Sequence, residues 1–268
     1  MAYDGTSYVG WQRQAEGVSV QGLLEAALTR IEGRQVHVIG AGRTDAGVHA
    51  AAQVASIAVE SDIDVDALRR AINATLPPDV RVLRVDDAPP GFHARYAATA
   101  KTYHYRLFSG PVVSPFAHRF VWHLRCRLDV EAMDAAAGAL IGEHDFAAFQ
   151  STGSAVRGTV RRLTESTVRR MAPAAGATDG PSFAPLASPL EGELLVYTVT
   201  GTGFLRHMVR AIVGTLVEIG TGRAPASLMA DLLSARARSR AGPTAPASGL
   251  CLASVTYVSH APVVATHR

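Results

Sequence analysis

Two spacings of apolar residues alternate along this chain, and the alternation restricts the possible fold more than any other feature of the sequence. At residues 20–31 the apolar side chains recur at intervals of three and four, as on one face of a helix. Short apolar runs at residues 36–39 and 54–59, and an alternating run at 80–85, are typical of strands. Such alternation predicts an α+β fold in which helices cover sheets.

The predicted elements fall into two halves of similar build. Helices are predicted at residues 19–31, 64–75, 203–219 and 225–238 and from 129 to the polar residues at 142–146, and further strands at 101–108, 161–170, 193–200 and 250–258. Pro111 and Pro115 mark a connector, and the five residues from Asp129 resemble those from Asp64. We expect two similar lobes, residues 1–108 and 109–268, with mixed or antiparallel sheets, flanking helices and an active-site cleft between them. Residues 171–192, rich in Ala, Pro, Gly and Ser, predict a long mobile insertion.

Composition excludes several classes of protein. With 268 residues, 48% hydrophobic and 18% charged, the chain has ample material for a globular core. It has no apolar run of about 18 residues, so no membrane span is expected, and its start lacks the pattern of a signal peptide. Cys126 and Cys251 form no metal-binding pattern and need no disulfide, which fits a reducing cytoplasm.

The positive charge of this chain is carried almost entirely by arginine. The formal net charge is only +3, which is compatible with a nucleic-acid partner but does not require one. Lys101 is the only lysine. A bias in codon usage would account for this, yet guanidinium groups also bind phosphates in pairs and stack on bases better than ammonium groups do.

The loop GAGRTDAGVHA, residues 40–50, places an aspartate among glycines between two predicted strands. Asp45 has two interpretations: it forms an Asx-turn or helix cap, or it is catalytic. His49 follows four residues later and could share a helical face with Asp45, but no third ligand at matching spacing completes a metal site.

Three other polar groups have both a structural and a functional interpretation. Residues 142–146, with the sequence GEHDF, resemble the end of a helix and a turn. The predicted helix from 203 carries Arg206, His207 and Arg210. These residues either form the solvated edge of a buried helix, or one of them reaches the cleft and pairs with Asp45. Tyr103 and Tyr105 point to one face of a predicted strand, either as core or as a platform for base stacking.

Nucleotide cofactors have no recognisable site in the sequence. A GxSxG motif, a Walker loop and a GxGxxG motif in a strand-to-helix setting are all missing. Gly201-Thr202-Gly203 precedes a helix but lacks the remaining glycine and the partner acid. We therefore expect no nucleotide cofactor.

Taken together, six segments resemble the TruA family of tRNA pseudouridine synthases over nearly the whole chain. They are AYDGTSYVGWQRQ, GAGRTDAGVHA, FHARYAATAKTYHYRL, LIGEHDFAAF, FLRHMVRAIVGTL and GPTAPASGLCLASVTY, and GRTDAGVH is the most specific of them. The resemblance implies two α+β lobes around a positively charged cleft and a homodimer without cofactor or metal. It implies conversion of uridine to pseudouridine at positions 38, 39 and 40 of the tRNA anticodon arm.

Matched residue by residue, the resemblance also implies a set of site residues. Asp45 is the nucleophile and Arg210 its partner, while Tyr103 stacks on the target uracil and is a candidate base for the C5 proton. The substrate-binding candidates are Arg43, which helps to flip the nucleotide, Tyr103, Leu250 as an apolar wall, His49 and Arg206. The family usually begins with a longer apolar strand, and here only Met1 and Ala2 precede Tyr3, so either the given start is late or most of that strand has been lost.

The reaction requires one carboxylate and a closed pocket, because the N1–C1′ bond breaks and C5 joins C1′ without redox change. Whether the carboxylate attacks C1′ or C6, or acts on a sugar-derived intermediate, stays open. Two alternatives remain: a catalytically idle tRNA-binding module of the same fold, and a metal-dependent hydrolase that uses Asp45, His49 and His144.

Overall fold

The computed structural model describes residues 1–151, 158–171, 191–235 and 238–258. The insertion predicted at 171–192 lies almost entirely outside these ranges. Within them, no helix is both long enough and apolar enough to cross a membrane.

Five α-helices form in the described residues, and side-chain caps begin the first three. They are α1 (Val20–Glu32), α2 (Val65–Thr75), α3 (Val130–Gly138), α4 (Met208–Gly220) and α5 (Leu228–Ala235). The Ser19 hydroxyl accepts a hydrogen bond from the Gly22 N–H, and the carboxylates of Asp64 and Asp129 accept bonds from the first turns of α2 and α3. These side chains satisfy N–H groups that have no partner inside the helix.

Eleven strands are described, and nine of them form one mixed sheet. They are β1 (Ala2–Tyr3), β2 (Ile39–Gly40), β3 (His49–Ala50), β4 (Ala55–Ser56), β5 (Val80–Arg81), β6 (Ala98–Ser109), β7 (Trp122–Leu124), β8 (Gly142–Asp145), β9 (Val160–Arg170), β10 (Glu193–Gly201) and β11 (Leu250–Tyr257). The order in the sheet is β5-β1-β3-β11-β6-β10-β9-β8, with β7 beside the end of β6. Strands β2 and β4 form a separate antiparallel pair.

The long strand β6 occupies the centre of the sheet. It pairs antiparallel with β10 and β11 and parallel with β7, while β11 pairs parallel with β3. The sheet is therefore continuous from one half of the chain to the other, and β11 of the second half lies between β3 and β6 of the first. The α+β class with a mixed sheet and flanking helices is confirmed, whereas the boundary between residues 108 and 109 stays a prediction.

Several predicted elements differ from the structure in length or type. In each of the segments 36–39, 54–59 and 80–85, which were predicted as strands, only two residues pair in a sheet. Other residues there, such as Val36 and Val38, are buried without belonging to a strand. Residues 142–145 form β8 rather than a helix end, since Gly142 at φ 114° redirects the chain to pair with β9. A pattern of apolar residues thus indicates burial in the core more directly than it indicates hydrogen bonding in a β-sheet.

The fourth helix begins five residues later than predicted. His207 has φ 61° and ψ 4°, a left-handed conformation that cannot be part of a right-handed helix, so α4 starts after it, at Met208. Arg206 therefore lies in the loop before α4, and the prediction that Arg206, His207 and Arg210 share one helix was wrong. Only Arg210 is within α4.

Candidate active site

The loop that carries Asp45 is held by the N-terminal segment. The Trp11 N–H donates to the Thr44 carbonyl at 3.0 Å, and the Tyr3 hydroxyl lies 2.8 Å from the Thr44 hydroxyl. Gly10, at φ 106°, packs so closely that a Cβ there would lie 2.5 Å from the Thr44 oxygen. A loop fixed by backbone contacts on this side presents the next side chain, Asp45, in a defined direction.

The Asp45 carboxylate is not used to build the turn. The turn is closed by the backbone, because the Val48 N–H donates to the Asp45 carbonyl at 3.1 Å and the Gly47 N–H donates to Tyr8 at 3.3 Å. The Asp45 side chain is 30% exposed. The geometry therefore does not support the Asx-turn interpretation and leaves the carboxylate available for other contacts.

Two side chains from the start of α4 face one oxygen of this carboxylate. Arg210 Nη1 lies 3.5 Å from Asp45 Oδ2, and His207 Nε2 lies 3.4 Å from the same oxygen. Arg210 is itself held in place, since its Nε donates to the Ala245 carbonyl at 2.7 Å. The structure thus brings together Asp45 and Arg210, which are far apart in sequence, at ion-pair distance.

His207, one of the three residues considered as a partner for Asp45, was not among the predicted site residues. It is the only non-glycine residue with positive φ in the described residues, a conformation that costs on the order of 1 kcal/mol or more. Its Nδ1 lies 2.7 Å from the Ser151 hydroxyl. Because histidine is not glycine, nothing in the motif FLRHMVR marked a left-handed residue at this position.

Tyr103 lies beside the loop as a nearly buried ring. It is 7% exposed and packs edge-on against Phe204, with ring centroids 5.1 Å apart and an interplanar angle of 82°. Its hydroxyl lies 3.6 Å from the position that a Cβ on Gly42 would occupy. Burial raises the pKa of Tyr103, and the nearby Tyr3 and Asp45 raise it further. The phenol therefore stays protonated, which weighs against it as a base in the free protein.

Tyr105 and Leu250 belong to the packed interior next to this site. The Tyr105 hydroxyl donates to the Pro246 carbonyl at 2.7 Å, and the ring is fully buried, so it offers no platform for stacking. Leu250 pairs with Tyr105 at the start of β11 and is also buried. The segment just before it reaches the Asp45 loop, since a Cβ on Gly47 would lie 3.2 Å from the Ala247 methyl carbon.

His49 faces away from Asp45 and is 4% exposed. Its Nδ1 accepts from the Gly5 N–H at 3.0 Å and lies 3.1 Å from an Asp4 oxygen, while Nε2 faces the carbonyls of Arg119 and Ser248 at 2.9 and 3.1 Å. Burial lowers the pKa of His49. With both ring nitrogens engaged inside the protein, His49 joins chain segments and has no free atom for a substrate.

Cations without protein partners surround the Asp45 loop. Arg43 and Arg206 are exposed and form no ion pair or side-chain hydrogen bond within the described part of the chain. Lys101 lies against Gly42, and burial, followed by the charge of Arg95, lowers its pKa. Such unpaired charges close to one carboxylate favour a polyanionic ligand.

The donors required by a metal-dependent hydrolase are not brought together. The His144 Nε2 lies 3.0 Å from the Ile141 carbonyl, and His49 contacts Asp4 rather than Asp45. No group of three or more His, Cys, Asp or Glu side chains suited to a metal occurs in the ranges that the structure describes. The proposed ligand set of Asp45, His49 and His144 therefore does not fit a metal ion.

The fold and site define an α+β protein with one accessible carboxylate, a paired guanidinium, an adjacent aromatic ring and a cationic margin. A family model described as tRNA pseudouridine synthase matches residues 1–97 and 136–258. Because this match covers most of the chain, the protein belongs to the tRNA pseudouridine synthase family, a family of isomerases.

Similar proteins from several bacteria carry the same description. The chain is 44% identical over 260 residues to tRNA pseudouridine synthase A of Solibacter usitatus, covering 96% of this chain and 97% of that protein. It is 43% identical to the proteins of that name from Moorella thermoacetica, with 96% and 97% covered, and from Syntrophotalea carbinolica, with 95% and 93% covered. The similarity therefore extends over nearly the full length of both partners in each comparison.

Proposed function

We propose that this protein isomerises uridine to pseudouridine in tRNA, with Asp45 as the nucleophile. The observation that carries the proposal is the partly exposed Asp45 carboxylate paired with Arg210 and placed near Tyr103. The names of the relatives, each a tRNA pseudouridine synthase A, support tRNA as the substrate.

The nucleophile must be ionised and oriented when the substrate arrives. The Arg210 guanidinium at 3.5 Å stabilises negative charge on Asp45, and the bond from Arg210 to Ala245 prevents the guanidinium from swinging away. Both His207 and Arg210 approach Oδ2, and Oδ1 accepts no hydrogen bond within the described part of the chain. An oxygen in that state is suited to attack C1′ or C6 of the target nucleotide.

The target base has to leave its stack and then remain in the site after the N1–C1′ bond breaks. Extrusion costs a few kcal/mol, and Arg43, which is exposed two residues before Asp45, is placed to occupy the vacated position or to hold a phosphate. The Tyr103 ring, supported by Phe204, forms an aromatic wall against which the detached uracil can turn. Leu250, buried beside Tyr105 at the start of β11, contributes to the apolar packing next to the site.

The finer assignments rest on the resemblance to the TruA family. We assign the activity to positions 38, 39 and 40 of the anticodon stem-loop, to a homodimer and to the cytoplasm, without a cofactor. Unpaired cations such as Arg43, Lys101 and Arg206 would contact phosphates, so binding should weaken as salt rises. Contacts to phosphates rather than to base edges fit an enzyme that accepts three neighbouring positions.

Release of tritium from tRNA labelled at C5 of uridine tests this function, because formation of the C5–C1′ bond expels that hydrogen. We expect release with the wild type and a loss of rate of about 10³-fold or more with Asp45→Asn, with tRNA binding retained. Asp86→Asn, a change in a surface ion pair with Arg84, is the matched control and should keep the wild-type rate.

Two outcomes would contradict the proposal. Release by Asp45→Asn at more than a small fraction of the wild-type rate would reject Asp45 as the nucleophile. Retention of tritium by the wild type, with tRNA still bound, would instead favour the idle binding module.

A further inference from the structure

The side chain of His207 contacts the candidate nucleophile from a backbone position that the fold has to impose. Its left-handed φ places the ring at the N-terminus of α4, where it makes no capping bond to the helix. The Ala211 N–H binds the His207 carbonyl at 2.9 Å, and the Ser151 N–H reaches the Arg206 carbonyl at 3.4 Å. The chain on both sides of His207 is thus anchored, and the ring is 23% exposed between Ser151 and Asp45.

The two ring nitrogens have partners of different kinds. The hydroxyl at Nδ1 is able to donate or accept, whereas the carboxylate at Nε2 is only able to accept. If the proton were on Nδ1, the lone pair of Nε2 would face the negative Asp45 oxygen and repel it. The neutral arrangement that avoids this repulsion has Ser151 donating to Nδ1 and the proton on Nε2, which lies 3.4 Å from Asp45 Oδ2.

We propose that His207 is a positioning residue, held in its Nε2–H tautomer by Ser151, that fixes Oδ2 of Asp45 and so directs Oδ1 towards the nucleotide. The proposal rests on the function assigned to Asp45 above. His207 and Arg210 approach the same oxygen at 3.4 and 3.5 Å, so they define one orientation of the carboxylate plane. Contacts of this length in a free enzyme shorten when the substrate closes the site.

The charge state of His207 matters for the reactivity of Asp45. Burial lowers the pKa of His207, Asp45 opposes that shift, and Arg210, Arg206 and Arg238 reinforce it. At neutral pH the ring is therefore neutral, and among the described residues Arg210 is the one full positive charge in contact with Asp45. A protonated ring would add a second positive charge and make the carboxylate a weaker nucleophile.

The first test is the ¹⁵N spectrum of the histidine rings of the full-length protein at neutral pH. The His207 signal is identified by its loss in His207→Gly, a variant that tolerates the left-handed backbone. We expect the Nε2–H tautomer and a shifted signal in Asp45→Asn. A proton on Nδ1, or a signal that is indifferent to Asp45→Asn, overturns the proposal whether or not the protein is active on tRNA.

The second test separates a positioning role from a structural one. His207→Gly should keep the melting temperature and KM for tRNA while kcat falls about 10- to 100-fold, as for loss of one polar contact to a charged group. Added imidazole should restore part of kcat, and Ser151→Ala should lower kcat by a smaller factor. The fall in wild-type kcat as His207 protonates, below pH 6.5, should be missing from His207→Gly.

The activity results divide cleanly between the two proposals. Wild-type kcat in His207→Gly, or a loss that appears only in KM or in the melting temperature, overturns the role of His207. Failure of the wild type to release tritium overturns the proposed function instead, and the ring tautomer still decides whether His207 holds Asp45.

Discussion

Arg206 and Arg210 show how a single residue between them changes what each does. They are four residues apart, which on an uninterrupted helix would place them on one side. Because His207 is left-handed, the helix does not extend back to Arg206. Arg210 therefore contacts Asp45 from α4, while Arg206 is exposed in the preceding loop. The two arginines therefore make a matched pair for mutation.

Replacement of Arg210 should damage both the site and its support. In Arg210→Ala, Asp45 loses its cation and the Ala245 carbonyl loses its donor. We expect kcat/KM for tRNA to fall by about 10²-fold and the free energy of unfolding to fall by about 1 kcal/mol. Arg206→Ala should keep the stability and kcat and raise KM slightly. Full activity in Arg210→Ala would reject its pairing with Asp45.

Tyr103 permits a test that separates its ring from its hydroxyl. Burial raises the pKa of the phenol, so we expect the ring to matter more than the proton. Tyr103→Phe should keep kcat within about tenfold of the wild type, because a general base would contribute about 10²- to 10⁴-fold. Tyr103→Leu removes the aromatic face, and its kcat should fall further than that of Tyr103→Phe. A loss in Tyr103→Phe as large as that in Tyr103→Leu would make the hydroxyl the proton acceptor.

At the scale of elements, helix α4 positions the site because of one close contact. Gly214 packs against the turn at Gly242 and Pro243, and a Cβ on Gly214 would lie 1.7 Å from the Pro243 carbonyl oxygen. The same turn leads to Ala245, whose carbonyl accepts the Arg210 bond. Close packing of α4 on this segment thus fixes the position of the helix, and with it the positions of His207 and Arg210 relative to Asp45.

Gly214→Ala should therefore act on stability and on the site together. We expect a loss of about 1–3 kcal/mol in the free energy of unfolding from overpacking, with a lower kcat as the helix shifts. Gly138→Ala is the control, because a Cβ at the exposed end of α3 meets nothing within 4 Å. That change should be neutral or stabilising by up to about 1 kcal/mol. Urea unfolding of both variants measures the difference, and equal stabilities would contradict the role of the contact.

At the scale of the whole molecule, the sheet brings together segments that are distant in sequence. β11 lies between β3 and β6, so the turn before Leu250 meets the end of the Asp45 loop. His49 completes this junction, because its ring contacts the backbone at Gly5, Arg119 and Ser248. One buried side chain thus connects three regions of the chain beside the site.

The burial of His49 predicts a dependence of stability on pH. Its pKa in the folded protein is lowered from 6.5, so the stability from the neutral ring is present above that value and is lost as the pH falls below it. We expect the melting temperature to fall between about pH 7.5 and pH 5.5, and to fall less in His49→Asn. His118→Asn, a change at an exposed histidine, should follow the wild type. If the melting temperature changed equally with pH in all three proteins, His49 would not be the cause of the pH dependence.

The sequence by itself determined the class of fold, the helix starts at Ser19, Asp64 and Asp129, and the residue types of the site. Those features depend on local spacing and capping, which short segments carry within themselves. Only the tertiary structure decided that the sheet is continuous, that β8 is a strand, and that His49 is a buried junction. It alone placed His207 against Asp45. Each of these depends on contacts between distant segments and on an imposed left-handed backbone, and neither leaves a periodic pattern in the chain.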